Sequence, residues 1–186
     1  MQDRSMRKLW AILALILIVS FSWLGLIGRE IHRQAPPMPS AVVTAEGDVL
    51  YTREDIETGR QVYQSMGGQQ VGSIWGHGGY LAPDWSADWL HRESMAMLDA
   101  RAEELYGVSY DELDDGRQAD MRVRLQEELN ANTYDVETGQ IIISGERVAA
   151  ARQVARHYVD LFGDAHELEA LREDYAIANG AIPDLE

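Results

Sequence analysis

The chain has no cysteine. Disulfides, zinc–thiolate sites, iron–sulfur clusters and a thioether-linked haem are thereby excluded, because each needs a Cys sulfur. Cysteine content leaves the compartment open. Lysine is nearly as scarce: Lys8 is the sole one, which we ascribe to genome composition rather than to chemistry. No serine sits in a Gly-x-Ser-x-Gly elbow and no glycine-rich loop carries the lysine of a phosphate site, so nothing indicates an autonomous hydrolase or phosphoryl-transfer enzyme. His32, His77, His91, His157 and His166 include no pair at the i, i+4 spacing that sets two imidazoles on one helical face. A metal or haem site built by this chain alone is not expected.

A net positive balance is confined to the start. Arg4, Arg7 and Lys8 stand against Asp3 in the first eight residues, whereas from Gln34 onward 29 acidic residues stand against 11 arginines, a balance of −18. Such a surface repels phosphates, which excludes nucleic acid and anionic lipid as partners of that part.

Leu9 to Gly28 is an uncharged run between Lys8 and Arg29. Twenty residues at about 1.5 Å rise span roughly 30 Å, the hydrocarbon thickness of a bilayer. The run is long for a cleaved signal peptide and ends in no clear small-x-small site, so an uncleaved transmembrane helix is expected. The basic start stays cytoplasmic, which puts the remainder in the periplasm of a bacterial inner membrane, as a single-pass protein. Ser20, Ser22, Gly25 and Gly28 give this helix a small-residue side that another helix could approach. The expected organisation is a cytoplasmic start (1–8), a membrane helix (9–28), a Pro-rich spacer (29–40) and an extracytoplasmic domain (41–186).

The domain reads as mainly α with two short β-hairpins. The first hairpin is Ala41 to Thr52 around Glu46-Gly47-Asp48; the second is Thr133 to Ile143, turning at Glu137-Thr138-Gly139. Thr52-x-x-Asp55 is a capping box for a helix to about Ser65. Further helices are expected over Ser86–Tyr106, with Leu90, Met97, Leu98 and Leu105 inward; from Ser109-x-x-Glu112 to Asn130, with Leu113, Met121, Leu125 and Leu129 inward; over Ser144–Phe162; and over Ala165–Ala178, closed by Asn179-Gly180 and Pro183.

The stretch GRQVYQSMGGQQVGSIWGHGGYLAPDWSADWLHRE, Gly59 to Glu93, fits neither helical nor strand periodicity throughout. It holds three of the five Trp, two of the five His and seven of the sixteen Gly. Its Trp75, His77, Tyr80, Trp85, Trp89 and His91 offer surface with polar tips, suited to packing or docking. Asp84 and Asp88 flank Trp85 and Trp89 in a pattern superficially like a sugar groove with an acid pair. The alternative is that Asp84 or Ser86 caps a helix whose first turn holds Asp88. His91, Arg92 and Glu93 form either a buried polar network or a partner-contacting surface.

That stretch closely resembles the N-terminal extracytoplasmic region of the quinol-dependent nitric oxide reductases, in the haem–copper oxidase superfamily. The resemblance continues through APPMP, EGDVLYTREDIETGR and REDYAIANG, and so covers essentially the whole chain. It implies a cytochrome c-like fold. In the related cytochrome-dependent enzymes a separate anchored subunit of similar pattern carries a c-type haem at a Cys-x-x-Cys-His site. Aligned on Gly59, Val62, Tyr63 and Gln64 before it and on Gly76, Gly78, Tyr80, Ala82 and Pro83 after it, the two linking Cys fall on Gly68 and Val71 and the axial His on Gly72. The implied domain has lost its haem, and Trp75 with its neighbours is expected to fill part of the vacated volume.

The resemblance implies the reaction 2 NO + 2 H⁺ + 2 e⁻ → N₂O + H₂O, a step of denitrification, for the whole enzyme and not for this chain, which holds none of the family's catalytic histidines. Haem b, haem b3, a non-haem iron and the quinol site are implied in a multi-helix membrane part, in the same or a separate chain. A truncated product, a split subunit and a fragment all stay open. The role expected here is structural, capping that part through the Trp loop. The competing expectation is a membrane-anchored periplasmic module that binds a small ligand or a carbohydrate.

Overall fold

The computed structural model describes residues 2–78, 83–178 and 180. The chain divides into two units, Met1–Met38 and Pro39–Glu186. The first is one helix, α1 (Gln2–Gln34), long and apolar enough to cross a membrane, with a mean hydropathy of 2.5 in its most apolar part. It outruns the expected Leu9–Gly28 span. Residues 29–34, expected in the spacer, are helical because neither Pro nor Gly interrupts them before Pro36.

The second unit is mainly helical around a small sheet. β1 (Ala41–Thr44) and β2 (Val49–Thr52) form the expected hairpin, with Gly47 in the left-handed region at its turn. Thr52 closes the expected capping box: Asp55 N–H donates to its hydroxyl at 3.2 Å and Thr52 N–H donates to the Asp55 carboxylate at 2.8 Å. This launches α2 (Arg53–Ser65), followed by the short α3 (Gly68–Val71) and a two-residue ladder of β3 (Ser73–Ile74) and β4 (His77–Gly78).

α4 (Trp85–Tyr106) is stopped by Gly107 at φ 70°, whose N–H donates to Glu103 O. The Ser109–Glu112 capping box is present, yet it starts only a single 3-10 turn. Leu113 turns extended there to reach the core, and Asp114 restarts the chain by accepting from Gly116 and Arg117 N–H, so that α5 is Asp115–Asn130. α6 (Gly145–Phe162) is capped by Ser144 as expected.

The second expected hairpin is altered. Only Gln140–Ile143 (β5) is a strand, and its ladder runs parallel to β1, giving the order β2-β1-β5. Tyr134 and Ile141 still make one antiparallel bridge across the turn. The other arm is cut short because Asp135 folds it into an Asx turn, accepting from Glu137 N–H and the Thr138 hydroxyl, both at 2.8 Å. The last expected helix is likewise split into a 3-10 turn, His166–Leu168, and α7 (Glu169–Asp174). It ends early because the chain turns at Ala176, φ 54°, to bury Ile177. Asn179 and Pro183 lie outside the described residues.

Two hydrophobic clusters hold the domain. One joins Met97, Leu98 and Ala102 of α4 to Tyr110, Leu113, Met121, Leu125 and Ala150. The other gathers Trp85, Leu161 and Ile177, with Tyr63, Tyr158, Phe162 and Tyr175 against them. Leu90 and Leu105, expected inward, are instead 39% and 64% exposed: each lies seven residues from a buried core residue of α4, Met97 and Leu98, on the same side of the helix but beyond the packed stretch.

Candidate functional site

Asp84 organises the loop. It is the N-cap of α4, accepting from Ala87 N–H at 3.0 Å, so the capping alternative for this carboxylate holds. Its other oxygen accepts from Gly76 N–H at 2.6 Å and from the Ser73 hydroxyl at 2.7 Å. Ser86 Oγ accepts from Trp75 N–H at 3.1 Å, and Ser73 N–H donates to Pro83 O at 3.0 Å. The β3–β4 turn is thus latched to the first turn of α4. These donors, Gly76 N–H foremost, then Ser73 and Ala87, hold the Asp84 carboxyl down at about 2. Trp75 rides on this latch at φ 52° with 74% of its surface exposed, and His77 beside it is exposed too, its Nδ1 2.9 Å from Trp75 O.

Trp75 therefore does not fill the interior; Trp85 does. Its indole meets Tyr158, Phe162 and Tyr175 edge-on at centroid distances of 6.1, 5.5 and 5.9 Å. The glycines below the loop are required by space. A Cβ on Gly72 would lie 1.9 Å from Trp85 Nε1, and one on Gly68 would lie 2.2 Å from the Tyr63 ring. Trp85 Nε1 and the Tyr63 hydroxyl are buried with no hydrogen-bond partner. Val71, between Gly68 and Gly72 in the sequence, is half-buried. Arg172, 2% exposed, holds the C-terminal end of this cluster by donating to Asp160 O and Ala165 O.

The residues after Trp85 form internal networks. Asp88 accepts from Arg92 Nε and from the Tyr158 hydroxyl, both at 2.7 Å. Burial works against ionisation of Asp88, but these two donors prevail and its carboxyl lies below the usual range; burial together with Asp88 pushes the Tyr158 hydroxyl up. Glu93, 4% exposed, accepts from Trp89 Nε1 at 2.9 Å and from Arg147 Nε at 2.6 Å, and Trp89 stacks on Tyr158 at 5.5 Å. His91 is exposed and lines, with Arg92, Gln153 and His157, a cavity of about 350 Å³ between α4 and α6.

The structure thus divides the expected loop. Asp84 latches it, Trp85, Asp88, Trp89, Arg92 and Glu93 face the interior or its polar networks, and Trp75, His77 and His91 remain outside. Tyr80 lies outside the described residues. Sequence reasoning missed Tyr158 and Phe162, whose i, i+4 spacing on α6 was the available signal, and Arg101, which pairs with Glu146 at 2.7 Å and also with Glu128. No local pattern marks that last bridge, because its partners lie 27 and 45 residues away.

The residues present do not fit a covalently bound c-type haem. Cysteine is absent, and side chains at Gly68 and Gly72 would collide with Tyr63 and Trp85. Among the described residues no group of three or more metal-ligating side chains forms. No curated protein matches the chain. A family model does match, covering residues 39–186 and so the whole second unit. Over those residues the chain belongs to the NorB cytochrome c-like domain family of nitric oxide reductase.

Proposed function

We propose that the chain is the anchored, haem-free extracytoplasmic part of a quinol-dependent nitric oxide reductase, with a structural role at the outer face of a multi-helix haem b part. The observation that carries this reading is the packing of Trp85 against Gly72 and of Tyr63 against Gly68. In a cytochrome c-like domain without haem, electrons have no carrier on this route. A lipid-soluble quinol that delivers them inside the membrane removes the need for one. The N-terminus lies in the cytoplasm and the domain in the periplasm, consistent with Arg4, Arg7 and Lys8 preceding the apolar run of α1 and with the acidic remainder.

The carbohydrate-binding alternative gains no support. Asp84 and Asp88, the carboxylates it would use, are both taken up by internal hydrogen bonds.

The test is purification of the tagged chain from its own membranes in mild detergent. The expected preparation contains haem b and consumes NO when given a reduced quinol, but not when given reduced cytochrome c. A chain that emerges without haem b, or activity driven by cytochrome c alone, would sink the proposal.

A further inference from the structure

The turn at Trp75 is unexplained by the domain's own packing. Its backbone sits in the left-handed region, where a side chain is disfavoured and glycine is the easy choice, as its neighbour Gly76 at φ 73° illustrates. Its indole is 74% exposed, so no interior contact offsets the conformation. The latch on Asp84 and Ser86 nevertheless holds the residue in place. Strain maintained by surrounding structure points to a requirement outside the fold.

Charge identifies what kind of surface meets it. From Ser65 to Pro83 the sequence contains no Asp, Glu, Lys or Arg, although the chain from Gln34 onward is strongly acidic. Ile74, beside Trp75, is also exposed. Apart from Asp84, whose carboxylate is taken up by the latch, the segment that carries this exposed aromatic has no charged residue, which is the composition of a protein-interface core, where charge is depleted and Trp is a frequent anchor. A loop that inserts into lipid would gain from basic residues near it. This one has none, and the acidic domain behind it is repelled by anionic headgroups.

We propose that Trp75 is the anchor by which this domain seats on a protein surface, its indole entering an uncharged, apolar pocket of the membrane partner. This rests on the docking role proposed above. Absence of native cysteine in this chain makes the test direct. Ile74→Cys serves as a reporter beside the indole and Val136→Cys, at an 83% exposed position, as a reference. Both are treated with a maleimide in the purified haem b assembly, counting labelling above that of the unsubstituted assembly.

Ile74→Cys should react at least tenfold more slowly than Val136→Cys, and adding Trp75→Ala should restore its rate, whereas adding Trp75→Tyr should preserve protection. Equal labelling of the two positions in the assembly overturns the proposal, as does protection that Trp75→Ala leaves intact. Protection of Ile74→Cys in the chain alone, embedded in phosphatidylcholine nanodiscs, would make lipid the occupant and also overturn it. A preparation that carries no haem b overturns the docking role itself, and this proposal with it.

Discussion

At the scale of single residues, the loop separates glycines that are needed for space from those needed for conformation. Gly72 has extended backbone, φ 177°, which any residue adopts, but its missing Cβ is replaced by the Trp85 indole. Gly76 is the reverse: φ 73° and nothing within 4 Å of a built Cβ. A Cβ that would overlap a buried indole lies at the costly end of overpacking, about 3 kcal/mol, whereas a left-handed alanine costs roughly 1–2 kcal/mol. Gly72→Ala should therefore lower the unfolding temperature of the detergent-solubilised chain more than Gly76→Ala does, and only Gly72→Ala should alter near-UV circular dichroism from the displaced indole. Equal losses for the two would mean that the cluster under the loop is not packed as described. The same contrast explains what the sequence could not convey. Trp75 and Trp85 occur in one stretch with similar neighbours, and only the point at which α4 begins decides that Trp85 turns inward and Trp75 outward.

At the scale of elements, local signals are legible wherever a cap or a glycine stop decides the outcome: Thr52 with Asp55, Gly107, and Ser144. They mislead where burial overrides them, as at Leu113 and Ile177, which pull their segments out of helix into the core. The parallel pairing of β5 with β1 is illegible because the partner strand lies almost a hundred residues earlier, as the Ser40 hydroxyl donating to Thr138 O illustrates. The polar face between α4 and α6 yields a pH prediction. His157 Nε2 is buried without a partner, and burial, then the positive charge of Arg92, lower the affinity of the ring for a proton, against the opposing pull of Asp88 and Asp160. Its folded pKa lies below the unfolded value of 6.5. The neutral ring therefore contributes stability that is full above pH 6.5 and declines as pH falls from there toward the folded pKa, because the unfolded chain takes up the proton first. Asp84 adds no slope in that range, since its window lies between its unfolded value of 3.8 and about 2. The unfolding temperature of the wild type should fall as the pH is lowered through 6.5, and His157→Gln should flatten that slope. An unchanged slope in the variant would place the titrating group elsewhere.

At the scale of the whole domain, the two hydrophobic clusters are tied by the same two helices. α4 contributes Trp85 to one and Met97, Leu98 and Ala102 to the other, while α6 contributes Leu161 to the first and Ala150 to the second. A cluster cannot be lost while both helices stay in place, so the Pro39–Glu186 unit should unfold in one cooperative step. Leu161, 1% exposed, and Met121, 4% exposed, are the probes, one for each cluster. Truncating either to Ala removes buried side chain and leaves a cavity, at a cost of roughly 3 kcal/mol, which for a domain of this size lowers the midpoint by about 2–4 °C for each kcal/mol. Each variant should displace one shared transition, seen at the same midpoint by Trp emission, to which Trp85 and Trp89 in or beside the aromatic cluster contribute, and by far-UV circular dichroism, where α1 in detergent adds a constant helical baseline. If Met121→Ala instead lowered the circular-dichroism midpoint and left the Trp midpoint where it was, the clusters would be separate folding units. The latched loop would then depend on Trp85 and its aromatic neighbours alone, without support from the helices beyond them.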